Sequence, residues 1–299
     1  KGMLAAVNSE GGFLVDAETA DLVQRALSAA HSIRSIAHVV TVEASAYDIL
    51  MDQGGMDAGW ASEQQGVSET ATPKLDRISI PLHELSAMPK ASQRLLEDSA
   101  FDIENWLASR IADTFARFEG NAFLFGDGLD KPRGFLSYEQ VADGAQDWGQ
   151  LAYIPTGGAG KFEDGMASDK LVDLVYALDA RYRANSRFVL NSKTAGHIRK
   201  LKDSDGRFLW ADGLAMQEPA RLLGYPVGVC EDMPDIEPDA YAIAFGDFSA
   251  GYTIVERPDL RVLRDPFSAK PHVLFYATKR VGGDVSDFAA IKLVKFGTA

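Results

Sequence analysis

Between Ser99 and Phe125 the apolar residues Ile103, Trp106, Leu107, Ile111, Phe115, Phe118 and Ala122 recur at three- and four-residue spacing, with no proline among them. This stripe predicts a helix of several turns with one apolar face, and its residues read as core rather than as a binding surface. Asp102 and Glu104 near its start suit the helix dipole, and Gly126-Asp127-Gly128 supplies the stop. No other segment carries so long a helical signal.

The segments before it are of a different kind. Lys1 to Glu10 is a weakly patterned arm, and Ala20, Val23, Ala26 and Leu27 predict a short amphipathic helix over 16–28. The chain turns β-rich from Ile36 to Val42. From Ser45 to Pro73 every periodicity breaks, with Gly54-Gly55, Gly59 and Gly66 among many Ser and Thr residues. That segment carries Asp48, Asp52, Asp57, Glu63 and Glu69 with no Lys or Arg, alongside Met56 and Trp60, whose apolar surface needs cover. Beyond it, Ile78, Ile80 and Leu82 alternate with Arg77, Ser79 and His83, the period of a strand with one buried face. A β-ribbon tipped by the acidic loop is the simplest arrangement.

After Leu136 the chain alternates helices and strands. Leu171, Val172, Leu174, Val175, Leu178 and Tyr182 predict a helix over 168–182. The strand Phe188-Val189-Leu190 meets Asn191-Ser192, a cap for a helix over 193–200. Tyr225 to Val229 reads as a strand, and the last fifty or so residues read as short strands with turns at Pro258, Pro266 and Gly282-Gly283. The fold class is α+β.

Composition closes off several functions. Thirty Lys and Arg stand against 43 Asp and Glu, a net charge of −13, so general attraction to nucleic acid phosphates is excluded. The single Cys230 permits no intrachain disulfide and fits a reducing compartment. No apolar run reaches the roughly 18 residues of a membrane span, and the N-terminus lacks the order of a secretion signal. These features predict a protein made in the cytoplasm, without membrane attachment.

Motifs with catalytic meaning fail on spacing. Gly160-Lys161 lacks the earlier glycine and the following Ser or Thr of a phosphate loop, and Gly246-Asp247-Phe248-Ser249-Ala250-Gly251 has one residue too many for a nucleophile elbow. Asp203-Ser204-Asp205-Gly206 lacks the later ligands of a calcium loop. His31, His38, His83, His197 and His272 show no metal-ligand spacing, and the neighbouring carboxylates Glu97-Asp98 and Glu231-Asp232 point apart. Neither a catalytic residue nor a metal or cofactor site is nominated.

The order of features nevertheless matches a known family. Leu95-Leu96-Glu97-Asp98-Ser99-Ala100-Phe101-Asp102-Ile103-Glu104, then Arg110-Ile111-Ala112, Glu119 to Gly128 and Lys131-Pro132-Arg133-Gly134-Phe135-Leu136 resemble the spine helix and following turn of Hong Kong 97-type major capsid proteins. Lys200 to Trp210, Leu222 to Val227 and Ala244-Phe245-Gly246-Asp247-Phe248 resemble later parts in the same order, so the likeness runs from Gly12 to Val294. Gene transfer agents look closest within the family.

The resemblance implies an N-terminal arm and short helix over 1–34, a peripheral domain over 35–44 and 77–135, an extended loop over 45–76, an axial domain over 136–246, and a peripheral return with final strands over 247–299. It implies a subunit that self-assembles as pentamers and hexamers into an icosahedral-type shell around double-stranded DNA. A portal and a maturation protease are the expected partners. The protease would remove a leading scaffold segment, which fits a chain beginning at Lys1, although trimming would leave the same start. Some family members weld subunits through a loop lysine and a late asparagine. Here the last asparagine is Asn191 and the loop's nearest lysine is Lys74, so non-covalent contacts are expected instead.

Between Val255 and Gly282 six basic residues, Arg257, Arg261, Arg264, Lys270, Lys279 and Arg280, face three acidic ones. The acidic loop of one subunit is expected across this segment of a neighbour, with Trp60 and Met56 as apolar anchors, Asp57 among the contacts and Glu63 or Glu69 meeting the arginines, the alternative being a solvated hairpin with the basic residues facing water. Two other readings compete. An encapsulin-like compartment would share the fold and hold protein cargo, and a soluble α/β enzyme would need a deep pocket that no residue set here specifies.

Overall fold

Ile103–Phe125 forms one unbroken helix, and its buried face is Ile103, Leu107, Ile111, Ala112, Phe115, Ala122 and Phe123. In this computed structural model the residues described are 13–14, 33–52, 75–94, 103–163, 165–201, 210–211, 221–258 and 261–298. The expected helix over 16–28, the loop tip, Glu97-Asp98 and the acidic turn at 203–206 lie outside them. The predicted stripe needs one correction: Trp106 and Phe118 are 46% and 55% exposed, so they flank the buried face.

The helix packs on a sheet in the order Phe13–Leu14, Arg261–Ala269, His272–Val285, Tyr252–Glu256, His38–Thr41. His272–Val285 is its backbone. One side takes Arg261–Ala269 and then Tyr252–Glu256, and the other takes Lys90–Ser92 and then His83–Ala87, with Val281 paired to Glu256 on one side and His83 on the other. This strand has fourteen residues and Arg261–Ala269 has nine, longer than the short strands expected. Pro266 lies where the register shifts between Asp265 and Ala269, so it marks a bulge rather than a turn.

Gly282 and Gly283 also lie inside the long strand. A Cβ on Gly282 would stand 2.3 Å from the Pro81 carbonyl oxygen, and one on Gly283 would stand 2.6 Å from the Tyr252 hydroxyl. These glycines permit close approach of neighbouring chain, which a turn motif in the sequence mimics.

Ala46–Asp52 and Leu75–Pro81 pair antiparallel as the expected ribbon. Its first strand occupies the start of the aperiodic segment, since strand pairing there comes from the partner rather than from local alternation. Ile80 is fully buried at the ribbon's base, while Leu50 is exposed.

A second sheet runs Trp210–Ala211, Arg221–Leu222, Tyr225–Val229, Arg187–Leu190, Ile243–Gly246, Ile291–Lys295, Gln150–Pro155, Glu139–Ala142. The helices Ala167–Ala177 and Ser192–Arg199 are associated with it, Leu171, Leu174, Val175 and Ile198 joining Phe188, Leu190, Phe245 and Val294 in one core. The helix predicted over 168–182 ends at Ala177. Leu178 adopts extended backbone, and Asp179 caps a separate turn, Ala180–Arg183, by accepting from the Arg181 N–H. Val172 stands on the exposed side. Asn191 caps Ser192–Arg199 as predicted, its side-chain oxygen accepting from the Thr194 N–H at 2.8 Å.

The two sheets share one core. Phe123 and Leu124 from the end of the long helix, Phe135, Tyr252 and Val281 meet Val189, Ala244 and Leu293 of the second sheet there.

Candidate assembly surface

Alternation along Arg261–Ala269 sorts the predicted arginines. Val262 packs on Ile111 and Phe115 of the long helix, so Arg264, two residues on, shares the helix-facing side. Arg261 and Leu263 face the other way, paired with Thr278 and Tyr276. Arg257 joins them from the end of Tyr252–Glu256, where its N–H donates to the Arg280 carbonyl oxygen at 3.1 Å.

The result is an open cleft of about 470 Å³ lined by Arg257, Arg261, Arg280, Leu263, Tyr276 and Glu84. The structure brings Arg257 and Arg261 together and leaves Arg264 apart. Arg280 lies 3.4 Å from Glu84, with both side chains about half exposed, so the pair contributes little. Met56, Asp57, Trp60, Glu63 and Glu69 lie outside the described residues.

Charge counting along 255–282 included Lys279 and Glu256, which are buried beneath this surface. Lys279 is 2% exposed and sits 2.8 Å from Glu119 and 3.2 Å from Glu256. Arg34, from the short turn Ile33–Ser35, reaches the same two carboxylates at 2.9 and 2.8 Å. Two cations and two anions thus form a neutral buried cluster joining the N-terminal turn, the long helix and two strands. Burial opposes ionisation of Glu256, but the charges of Arg34 and Lys279 outweigh it and hold the carboxyl below its ordinary range.

The signal for this cluster was present in the sequence. Lys279 occupies a position in the buried series Val273, Phe275, Ala277, Val281, and Glu119 falls four residues after Phe115 on the buried stripe.

Beside the cluster, a smaller groove of about 280 Å³ runs between the long helix and His83–Ala87, lined by Phe118, Phe125, Leu85, Pro132 and Val281. Phe118 and Phe125 are half exposed along it.

Groups that could support chemistry are otherwise engaged. The Cys230 thiol is buried and its pKa is pushed up to about 11 by desolvation, so it is a poor nucleophile. Burial also raises the Asp284 carboxyl, which accepts from the Tyr138 hydroxyl. Gly160 lies in the two-residue turn of a tight hairpin between Gly157–Gly158 and Lys161–Phe162, and Lys161 pairs with Gly158. Ser249 lies in the four-residue helix Phe248–Gly251, where its N–H donates to the capping Asp247. Among the described residues no cluster of His, Cys, Asp and Glu could hold a metal ion, and no helix is long and apolar enough to cross a membrane.

The model of the phage capsid family matches residues 11–296. The chain belongs to the phage capsid family. It is therefore a major capsid protein, a structural and non-enzymatic subunit with the Hong Kong 97-type α+β fold.

Among solved structures, the capsid of an empty gene transfer agent particle is 68% identical with a TM-score of 0.82, over 90% of this chain and 97% of that one. The capsid of a native gene transfer agent particle is 65% identical with a TM-score of 0.84, over 99% and 100%. A protein of Microbacterium phage Oxtober96 shares the fold at 13% identity and a TM-score of 0.62, over 99% and 95%. No curated protein sequence matches the chain. The family resemblance seen in the helix, the Gly126–Gly128 turn and the later segments is thereby established over nearly the whole length.

Proposed function

We propose that this capsid subunit builds the closed shell of a gene-transfer-agent-like particle around double-stranded DNA. The observation that carries the reading is the near-full-length likeness to capsids of empty and native gene transfer agent particles, both computed with C5 symmetry. Five-fold symmetry in those relatives supports pentamers here, with hexamers completing the shell. The first sheet with the long helix serves as the peripheral domain and the second sheet as the axial domain. A maturation protease removes a leading scaffold segment, and a portal occupies one vertex.

Subunits interact without covalent welding. Asn191 supports this, because its side-chain nitrogen already donates to the carbonyl oxygens of Met233 and Pro234 and to Asp235. The acidic loop of one copy lies over the cleft of Arg257 and Arg261 in a neighbour, with Trp60 and Met56 covering apolar surface such as Leu263 and Tyr276. Charge sets the register of such a contact more than its strength.

Electron microscopy of purified particles beside a nuclease-protection assay tests the shell. Closed polyhedra protecting DNA are expected, and a small uniform oligomer at assembly concentrations would defeat the reading. Replacing Glu63 and Glu69 by Lys is expected to impair assembly while the subunit stays folded, and normal shells from that variant would remove the loop from the contact.

A further inference from the structure

A further cleft lies outside the surface described above. It has a volume of about 820 Å³ and is lined by Arg183, Arg187, Arg221, Pro226, Asp247 and Ile36 among others. Its position follows from the register of the second sheet. Arg187 precedes Phe188, which pairs with Val227, and Arg221 pairs with Pro226. Arg187, Pro226 and Arg221 therefore form one row across three strands, with side chains on the same face and the two arginines roughly 10 Å apart. That face carries Val189 into the shared core, so the arginines take over where the apolar packing stops.

Arg183 reaches the same cleft with its geometry fixed, Nε donating to the Leu178 carbonyl oxygen at 2.8 Å and Nη2 to that of Tyr176 at 3.2 Å. Asp247 is the acidic residue in the lining, and it is buried with Oδ1 accepting from the Ser249 and Ala250 N–H groups. Among the described residues none of the three arginines lies within ion-pair distance of a carboxylate. In a chain of net charge −13 this is a concentrated positive site.

The opposite end of the same strands carries its complement. After Tyr225–Val229 the segment from Glu231 to Asp239 holds Glu231, Asp232, Asp235, Glu237 and Asp239 with no Lys or Arg. Lys193 pairs with Asp235 and Lys295 with Asp239, which leaves Glu231, Asp232 and Glu237 to give the loop its negative charge. Tyr225–Val229 and Arg187–Leu190 are parallel, so the arginine row and the acidic loop sit at opposite ends of a strand pair, roughly 15–20 Å apart. Two different patches at opposite ends of one element fit a head-to-tail contact, the kind that closes into rings.

We infer that the Arg183–Arg187–Arg221 cleft receives the 231–239 loop of the adjacent copy within a capsomer ring. The inference rests on the shell-building role proposed above. One cleft and one loop per chain match in number, as a ring requires. DNA phosphates could meet the same charge, but the acidic loop supplies a partner at fixed stoichiometry.

Charge reversal in the particle-producing cell tests this. Arg187→Glu with Arg221→Glu is expected to lower the yield of closed particles roughly tenfold or more, as is Glu231→Arg with Glu237→Arg, because each set juxtaposes like charges. Combining all four substitutions restores opposite charges and is expected to recover particles, which a mere folding defect would not do. Unchanged assembly of either charge-reversed pair, or absence of recovery in the combined variant, would overturn the contact. Normal particle number with reduced protected DNA in the arginine variant would also overturn it and assign the cleft to phosphate. If the unaltered chain makes no shells, the shell reading itself fails.

Discussion

Lys279 stands where the alternation of a buried strand calls for an aliphatic side chain, and it is tolerated because Glu119 and Glu256 lie within ion-pair distance. Removing one member of such a cluster leaves a buried charge uncompensated. Lys279→Met is expected to cost roughly 3–5 kcal/mol in chemical denaturation of the subunit. The pH response follows from Glu256, whose carboxyl is held below its ordinary value of 4.5. A carboxyl depressed in the folded state contributes stability that is fully present above that ordinary value and lost as pH falls through the folded one. Melting temperatures across an acid series should therefore fall for the natural chain, and the gap to Glu256→Gln should narrow as the pH drops below about 4.5. At Gly282 the constraint is steric: Gly282→Ala would force a Cβ against the Pro81 carbonyl oxygen, and a loss of about 1–3 kcal/mol is expected by the same denaturation measurement.

The long helix has one buried face and one that is partly exposed. Phe115 is fully buried against Val262 and Ala277, and Phe115→Ala is expected to destabilise the subunit by about 3–5 kcal/mol. Phe118, three residues on and half exposed beside the groove with Leu85, should behave differently. Phe118→Ser is expected to leave the subunit's denaturation midpoint nearly unchanged while lowering particle yield, and unchanged yield would show that the groove takes no neighbour. The helix itself was legible because its stripe repeats over many turns, and its stop was legible in Gly126-Asp127-Gly128. Exposure of Trp106 and Phe118 was not, since helical spacing places a residue near a stripe without saying how wide the covering sheet is. The break after Ala177 was hidden for a related reason: Leu178 and Tyr182 are both buried, and helical spacing held across an extended residue.

At the scale of the whole molecule, the strand Ile291–Lys295 lies inside the second sheet. Ile291–Lys295 pairs with Ile243–Gly246 on one side and Gln150–Pro155 on the other, so the second sheet is closed through its middle by residues from the end of the chain. Deleting residues 290–299 is expected to abolish folding of both sheets, because Leu293 also belongs to their shared core, and loss of cooperative unfolding in calorimetry would show it. The sequence by itself determined the α+β class, the long helix, the second strand of the ribbon and the Asn191 cap, since each rests on local periodicity or short-range hydrogen bonding, while its ordered motifs carried the family resemblance. Only the tertiary structure decided which charges are buried, which arginines share a cleft and how a late strand joins an earlier sheet. Those outcomes depend on pairings between residues far apart in the chain, and strand alternation gives a side chain's face without naming what lies across it.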